Sequence, residues 1–329
     1  MRRRSSVQGS GPGKVVLAGV DTLHVGFRVD ASARLRELRA LIQDAQRAPE
    51  GEQWVRLPDG SRWAVGPRTD FNVGSIEREG LRILVVKEGF TKNPEFMAEL
   101  GSKFCHELSW QRGWRRAEDV VTLLAGVRPR AASLSRVDAC VDVLGVDLGY
   151  VSRHEWVTKL RRGREISPEP ATDVRRVFFK GSRVNSYAFG SRSSGACVRV
   201  YDKPMEIRDS SLKTWFYDMW AKHNHGVLVG EDEQVWRVEL ELKRKAFKGD
   251  VVVEGGASVS VDTIEGLELA LSFFWRTYMT DRLRLGIPGG KNRARWEATD
   301  VWRTVAGADF KGAAVEGGSW VAAAQGESD

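Results

Sequence analysis

Three stretches of the sequence alternate apolar with charged residues, and the charged sets hold cations, carboxylates and one tyrosine but no histidine. Between Ala196 and Lys203, Val198 and Val200 alternate with Arg199, Tyr201 and Lys203. Between Trp236 and Lys243, Val238, Leu240 and Leu242 alternate with Arg237, Glu239, Glu241 and Lys243. After Ser135, Val137, Ala139, Val141 and Val143 alternate with Arg136, Asp138, Cys140 and Asp142. A period of two marks a β-strand, so each stretch gathers its polar residues on one face.

Two readings of those faces stand side by side. In one, an antiparallel sheet packs one face on helices and turns the other to water, with charges paired across strands. In the other, carboxylates crowded on one face hold a cation, and hard oxygen ligands suit Mg²⁺ or Mn²⁺. A tyrosine hydroxyl titrates near ~10, and adjacent positive charge favours its phenolate. A divalent ion, a tyrosine nucleophile and a basic surround describe metal-assisted phosphoryl transfer on DNA.

Other residues compete for roles. Of the five tyrosines, Tyr187 lies in an alternating strand beside Tyr201 and is the second nucleophile candidate, with packing as its alternative role. Tyr217 reads as helix surface, and Tyr278 packs with Phe274 and Trp275. His223 and His225 have the spacing of a strand-borne metal pair. Leu212, Trp215, Phe216 and Met219 recur at helical spacing, though, which places the histidines at a helix end where residues two apart diverge. His223 then continues an apolar stripe and Gly226 follows the helix. Ser191, Arg192, Ser193 and Ser194 form either a phosphate cradle or a polar hairpin tip, and Lys180 and Arg183 add cations nearby for DNA. Trp110-Gln-Arg-Gly-Trp-Arg-Arg116 mixes aromatics and cations as single-strand binders do, and as packed Trp–Arg pairs also do.

The whole chain agrees with a polyanion partner. Its 329 residues carry 51 Lys+Arg against 44 Asp+Glu, a formal charge of +7. The excess is local: Arg2, Arg3, Arg4 and Lys14 precede any acid, and nine basic residues face three acidic ones from Arg175 to Lys213. No apolar run approaches the ~20 residues of a membrane span, and no apolar stretch follows the basic N-terminus as in a secretory signal. Three cysteines without a Cys-x-x-Cys pair fit a reducing cytoplasm, and no P-loop run occurs.

Patterning predicts an α+β fold: a central, mostly antiparallel sheet with helices on one face. Residues 1–14 read as a disordered basic tail, 15–130 as a first α+β unit, 131–260 as the chemistry-bearing unit, 261–310 as a helical segment and 311–329 as a second tail. Strands are expected at Val15–Val29, Trp54–Arg56, Arg62–Val65, Leu81–Lys87, Leu134–Leu144, Val174–Lys180, Val184–Phe189, Ala196–Lys203 and Gln234–Lys243. Helices are expected from Asp30 or Ser32 to Arg47, then at Pro94–Leu108, Ala117–Leu124, Ser152–Arg161, Ser211–His225 and Thr263–Asp281. The basic stretch Lys291–Arg303 reads equally as a solvated or a phosphate-contacting helix. Two echoes join the halves: Asp21-Thr-Leu-His-Val with Asp138-Ala-Cys-Val-Asp, and Arg62-Trp-Ala-Val-Gly-Pro-Arg68 with Ser186-Tyr-Ala-Phe-Gly-Ser-Arg192. A duplication behind them would give two similar α+β units.

Tyr187-Ala-Phe-Gly-Ser-Arg-Ser-Ser194, then Val198-Arg-Val-Tyr-Asp-Lys203 with Glu206, resembles the signature of the Rep_trans family. That family comprises rolling-circle replication initiators and relaxases of plasmids, phages and integrative elements. Ser135-Arg-Val-Asp138 with Asp142, and Trp236-Arg-Val-Glu-Leu-Glu241, resemble its flanking acidic strands. The likeness runs from about Leu134 to Lys245, is loose over 15–130 and absent over 261–308. It implies a nickase in which Tyr201 attacks a phosphodiester, leaving a 5′-phosphotyrosine link and a free 3′-OH. It further implies a divalent metal held by Asp138 and Glu239 with Asp142 or Glu241, and Arg199 and Lys203 neutralising phosphate and lowering the pKa of Tyr201. Its implied partners are origin or transfer DNA and a host helicase and polymerase, with no membrane; a homodimer is left open. Rival readings are a DNA-binding regulator on the same fold and a phosphodiesterase using metal-activated water.

Overall fold

The computed structural model describes residues 11–160, 176–180, 183–191, 193, 195–247, 249–252, 257–310 and 319–322. The chain divides into two compact units. One comprises Val20–Asp138, Phe247–Leu267 and Val321–Asp329; the other comprises Met1–Gly19, Ala139–Ala246 and Glu268–Trp320. No helix among the described residues is long and apolar enough to cross a membrane.

The first unit starts on a long strand, β1 (Lys14–Arg28), whose first residues belong to the other unit. Ser32 then caps α1 (Ala33–Ala45) by accepting from the Leu35 N–H, and Leu35, Leu38 and Ile42 bury one face. Strands β2 (Trp54–Arg56), β3 (Arg62–Gly66), β4 (Asn72–Arg78), β5 (Leu81–Val86) and β6 (Phe96–Leu100) follow as an antiparallel meander. Its last strand returns to β1, giving the order β2-β3-β4-β5-β6-β1. Helices α2 (Ser102–Leu108) and α3 (Trp110–Ala125) close the unit. A β-carbon at Gly113 would lie 2.8 Å from Leu100 Cδ2, so this glycine lets α3 sit directly on β6.

Three expectations change here. The segment 94–108 is strand, turn and helix, because Phe96, Ala98 and Leu100 alternate inward and pair on both sides with β1 and β5. The α3 helix starts at Trp110, well before Ala117. Trp110 and Trp114 are buried, so that motif packs into the core instead of offering rings to a nucleic acid. Strand β4 had no alternation to betray it: Asn72 through Ile76 are all buried, with Asn72 bonded to the Thr69 N–H and Ser75 to Arg82.

The second unit repeats the scheme. A long strand, β7 (Ala131–Leu144), is followed by β8 (Trp156–Thr158), β9 (Arg176–Lys180), β10 (Arg183–Ser191) and β11 (Ala196–Asp202). Short α4 (Lys203–Glu206) and α5 (Trp215–His223) then lead to β12 (Val235–Lys243). The sheet order is β7-β12-β11-β10-β9, so again the last strand of a meander returns beside the long first strand. The sequence echoes fall on matching strands: one pair on β1 and β7, the other on β3 and β10, each second from an edge.

Beyond it come β13 (Gly249–Val252) paired with β14 (Ser258–Ser260), then α6 (Ile264–Thr277). Strand β15 (Leu283–Leu285) pairs with β8, and α7 (Asp300–Ala306) follows. From Glu268 onward, the formerly unmatched segment completes the second unit's core. Trp156 contacts Tyr187, Phe189 and Trp302 at 5.0–5.3 Å, while Trp302 and Trp275 donate to the carbonyls of Met279 and Val305.

Two helix expectations fail in this unit for local reasons. Ser152–Glu155 forms a capping box over a single 3-10 turn, and β8 follows at once because Trp156 is drawn into the core. Helix α5 begins only at Trp215, since Ile207–Ser211 is a π turn ending at left-handed Leu212. His223 and His225 are both exposed, so neither joins an apolar stripe. Lys291–Arg303 is a short 3-10 turn followed by the start of α7.

Candidate active site

The site is written into the register between β11 and β12. Arg199 lies directly opposite Glu239, Tyr201 opposite Arg237 and Cys197 opposite Glu241. On the other side of β11, the small residues Ala188 and Ser186 stand opposite Arg199 and Tyr201, which leaves both only half-buried. Tyr201 Oη donates to Glu239 Oε2 at 2.8 Å, and the Arg199 guanidinium engages Glu239 Oε1. The Glu239 side chain is 3% exposed against 35% for Arg199. A half-open phenol therefore hydrogen-bonds a buried carboxylate whose other oxygen carries an arginine.

Behind it the polar face is buried, not solvated. Arg237 and Asp142 are both 0% exposed and joined by two bonds, Nε–Oδ1 at 2.6 Å and Nη2–Oδ2 at 2.8 Å. Trp220 Nε1 donates to Asp142 Oδ2 at 2.7 Å, and Phe216 lies 4.4 Å from the Arg237 guanidinium carbon. Both aromatics come from α5, so this helix roofs the ion pair. The reading of a water-facing charged side is thus overturned: β12 is buried along both faces from Val235 to Leu242.

Several expected roles need correction. Asp142 cannot be an open metal ligand, since both of its oxygens are taken by Arg237 and Trp220. Asp138, 2% exposed, accepts from Arg136 Nε at 2.8 Å on one oxygen and from Arg136 Nη2 on the other. Strand β11 ends at Asp202, which caps α4, so Lys203 leaves the strand face. Its buried ammonium lies 2.5 Å from Glu206 Oε2 and 4.5 Å from the Phe216 ring, 5.7 Å from that of Tyr201. It supports the tyrosine's ring and is not poised to meet a phosphate. Arg183 bonds Asp202 and Asp147, each at 2.7 Å, so its guanidinium is likewise committed.

Tyr187 is the interior tyrosine. Its hydroxyl lies 2.9 Å from the carbonyls of Leu148 and Val151, and burial, reinforced by Asp147 and Glu155, pushes its pKa well above the ordinary tyrosine value. Ser191 and Ser193 share a 2.7 Å hydroxyl contact at the β10–β11 hairpin. Gly190 there has φ +81, and a β-carbon would meet the Ala196 carbonyl at 2.7 Å. Arg192 lies outside the described residues, and for Lys180 only the backbone is described.

Mg²⁺ and Mn²⁺ prefer oxygen donors of the kind gathered here, but the arrangement does not fit them. Three acids of the expected set meet a cation at bonding distance, Asp138 with Arg136, Asp142 with Arg237 and Glu239 with Arg199, while Glu241 Oε1 lies 3.7 Å from Lys243 Nζ, beyond hydrogen-bond reach. An ion on Glu239 would have to displace both Arg199 and the Tyr201 hydroxyl. Sequence reasoning missed Trp220 and the inward role of Arg237, although the interval of 78 residues between Asp142 and Trp220 left no local signal.

No family model and no curated protein matches the chain. Among solved structures, the chain is similar to the rolling circle replication initiator protein from Geobacillus stearothermophilus. The likeness has 15% identity, covers 88% of this chain and 95% of that chain, and has a TM-score of 0.45.

Proposed function

We propose that the chain is a DNA strand transferase of the rolling-circle initiator or relaxase type, acting through Tyr201. What supports the reading is the bond from Tyr201 Oη to Glu239 Oε2, with Arg199 on the same carboxylate at the half-open edge of the face. As the phenol oxygen bonds to phosphorus, its proton passes to Glu239. The bond from phosphorus to the 3′ oxygen breaks, and that oxygen takes up the proton to leave as a 3′-OH. The 5′ phosphate stays on Tyr201. Arg199, one-third exposed, swings its charge from Glu239 toward the phosphate as the carboxylate becomes neutral. A host helicase and polymerase would use the 3′ end.

The matched charges favour a second reading, a DNA-binding protein on the same fold without catalysis. One experiment separates them. The protein is incubated with circular single-stranded DNA and with a random oligonucleotide pool, with and without Mn²⁺, then digested and searched by mass spectrometry for a nucleotidyl-tyrosine peptide. The adduct is expected on Tyr201 and absent from Tyr201→Phe, which loses one hydrogen bond to a charged group, worth about 1.5–3 kcal/mol, within the stability of an ordinary domain. DNA binding with no adduct under any condition would establish the second reading. An adduct surviving in Tyr201→Phe would refute the assignment of the nucleophile.

A further inference from the structure

The first unit carries a basic aromatic face that the tyrosine chemistry does not use. Strand β2 ends the sheet order, and its hairpin with β3 turns Val55, Trp63 and Val65 into the core. The opposite face presents Trp54, Arg56, Arg62 and Ala64, all exposed. Register places Arg56 directly opposite Arg62 and Trp54 opposite Ala64. The Arg62 guanidinium carbon sits 3.8 Å from the Trp54 ring centroid, and Trp54 as a residue is 37% exposed.

Like charges directly across a strand pair are destabilising, so this arrangement needs a reason. Protection of a sheet edge by charge explains arginines, but not an exposed indole stacked under one of them. Of the acids near this face, exposed Glu77 on β4 stands opposite Ala64 on one side and Arg82 on the other, and Glu99 accepts from Arg82 at 3.3 Å. At the hairpin tip, Asp59 bonds the Ser61 amide and hydroxyl. Those bonds, with Arg116 and Arg78 within electrostatic reach, hold its carboxyl below the usual range.

We propose that the exposed face of the β2–β3 hairpin is a platform for single-stranded nucleic acid. A base stacks on the Trp54–Arg62 pair, and Arg56 and Arg62 neutralise backbone phosphates. The face has two arginines, neither in an ion pair among the described residues, and one aromatic plane, which matches a strand with alternating phosphates and flat bases. An acidic peptide would satisfy the arginines and leave the indole idle.

The test is fluorescence anisotropy with a labelled 20-nucleotide dT strand over a salt series, on the full chain and on Tyr201→Phe. The two proteins should bind alike, so the result does not depend on whether an adduct forms. Trp54→Ala should weaken binding by about 5- to 100-fold. Arg56→Gln with Arg62→Gln should lower the slope of log affinity against log salt by about 1.4, the value for two phosphates on a single strand. Because these side chains point outward, the melting temperature should hold or rise as the like-charge pair is removed. Unchanged affinity and salt slope in variants with wild-type melting would overturn the proposal. So would full competition by a poly-glutamate peptide that is insensitive to Trp54→Ala, which would make the face a peptide site.

Discussion

Replacing Asp142 by leucine tests whether this acid is structural or ligating, because the two roles predict opposite signs. In the structure the carboxylate holds two bonds from Arg237 and one from Trp220, with both charged side chains at 0% exposure. Leucine takes from the buried Arg237 guanidinium, packed on Phe216, both of its bonds to Asp142, and strands the Trp220 indole N–H. Removing one member of a buried pair costs about 3–5 kcal/mol, a large share of a total stability on the order of 5–15 kcal/mol. Taking out both charges, as Asp142→Leu with Arg237→Met, should recover all but ~1–2 kcal/mol, since apolar replacement of a whole buried pair is often neutral. Urea unfolding followed by far-ultraviolet circular dichroism on the four proteins of the cycle gives the coupling directly. Had Asp142 been one of several acids awaiting an ion, its removal would relieve repulsion and stabilise the protein without metal. A loss below ~1 kcal/mol for the single leucine variant, or a gain, would therefore refute the ion-pair account.

Two further outcomes follow from the same geometry. Burial holds the Tyr187 hydroxyl and the Cys105 thiol protonated in the folded chain, raising both from ordinary values of 10.0 and 9.0. Unfolded chains lose those protons first, so stability is full below about pH 9 and falls above it, by about 1.4 kcal/mol per pH unit for each group. Urea midpoints from pH 8 to 11 should show the decline, with a shallower slope above pH 10 in Tyr187→Phe; a flat profile in the parent protein would contradict the burial. Millimolar Mn²⁺ should leave the melting temperature unchanged, because three acids of the expected set already meet a cation at bonding distance and Lys243 lies 3.7 Å from the fourth. A rise of several degrees that Glu239→Gln abolishes would show that the ion displaces Arg199 after all.

Much of the fold was legible because strands with one apolar face announce themselves. The patterns of β7, β11 and β12 gave their extents to within a few residues, and Ser32 marked the start of α1. What failed did so where tertiary pairing overrides local period. Phe96–Leu100 carries helix formers but is flanked by two strands, and Gly113 hid an otherwise regular helix in which a β-carbon would lie 2.8 Å from Leu100 Cδ2. The connection order shared by the two units was only hinted at by two short echoes, since topology constrains which strands pair and leaves most side chains free. Within the site, alternation placed Tyr201, Arg199 and Glu239 on one face. It could not tell whether that face met water, an ion or another layer.

That ambiguity has a physical root. A strand reading assigns a side chain to a face but not a partner, and an acid on a buried face must find a positive charge from some source. Here each acid has a basic residue within reach on its own or the adjacent strand: Arg136 is two residues from Asp138, Lys243 is two from Glu241, and Arg199 faces Glu239 in register. The same alternation that suggested a metal thus supplied the counter-ions that make one unnecessary for charge balance. The exception in kind is Glu239, which shares its charge between a guanidinium and a phenol, both of them opposite small residues, Ala188 and Ser186, on the next strand. On the mechanism proposed above, a phosphate at this edge would compete with Glu239 for the Arg199 guanidinium. Replacing Arg199 with lysine keeps the charge but loses the planar fork. It should therefore slow adduct formation more than it weakens DNA binding, and equal losses in both would reduce Arg199 to a general phosphate contact.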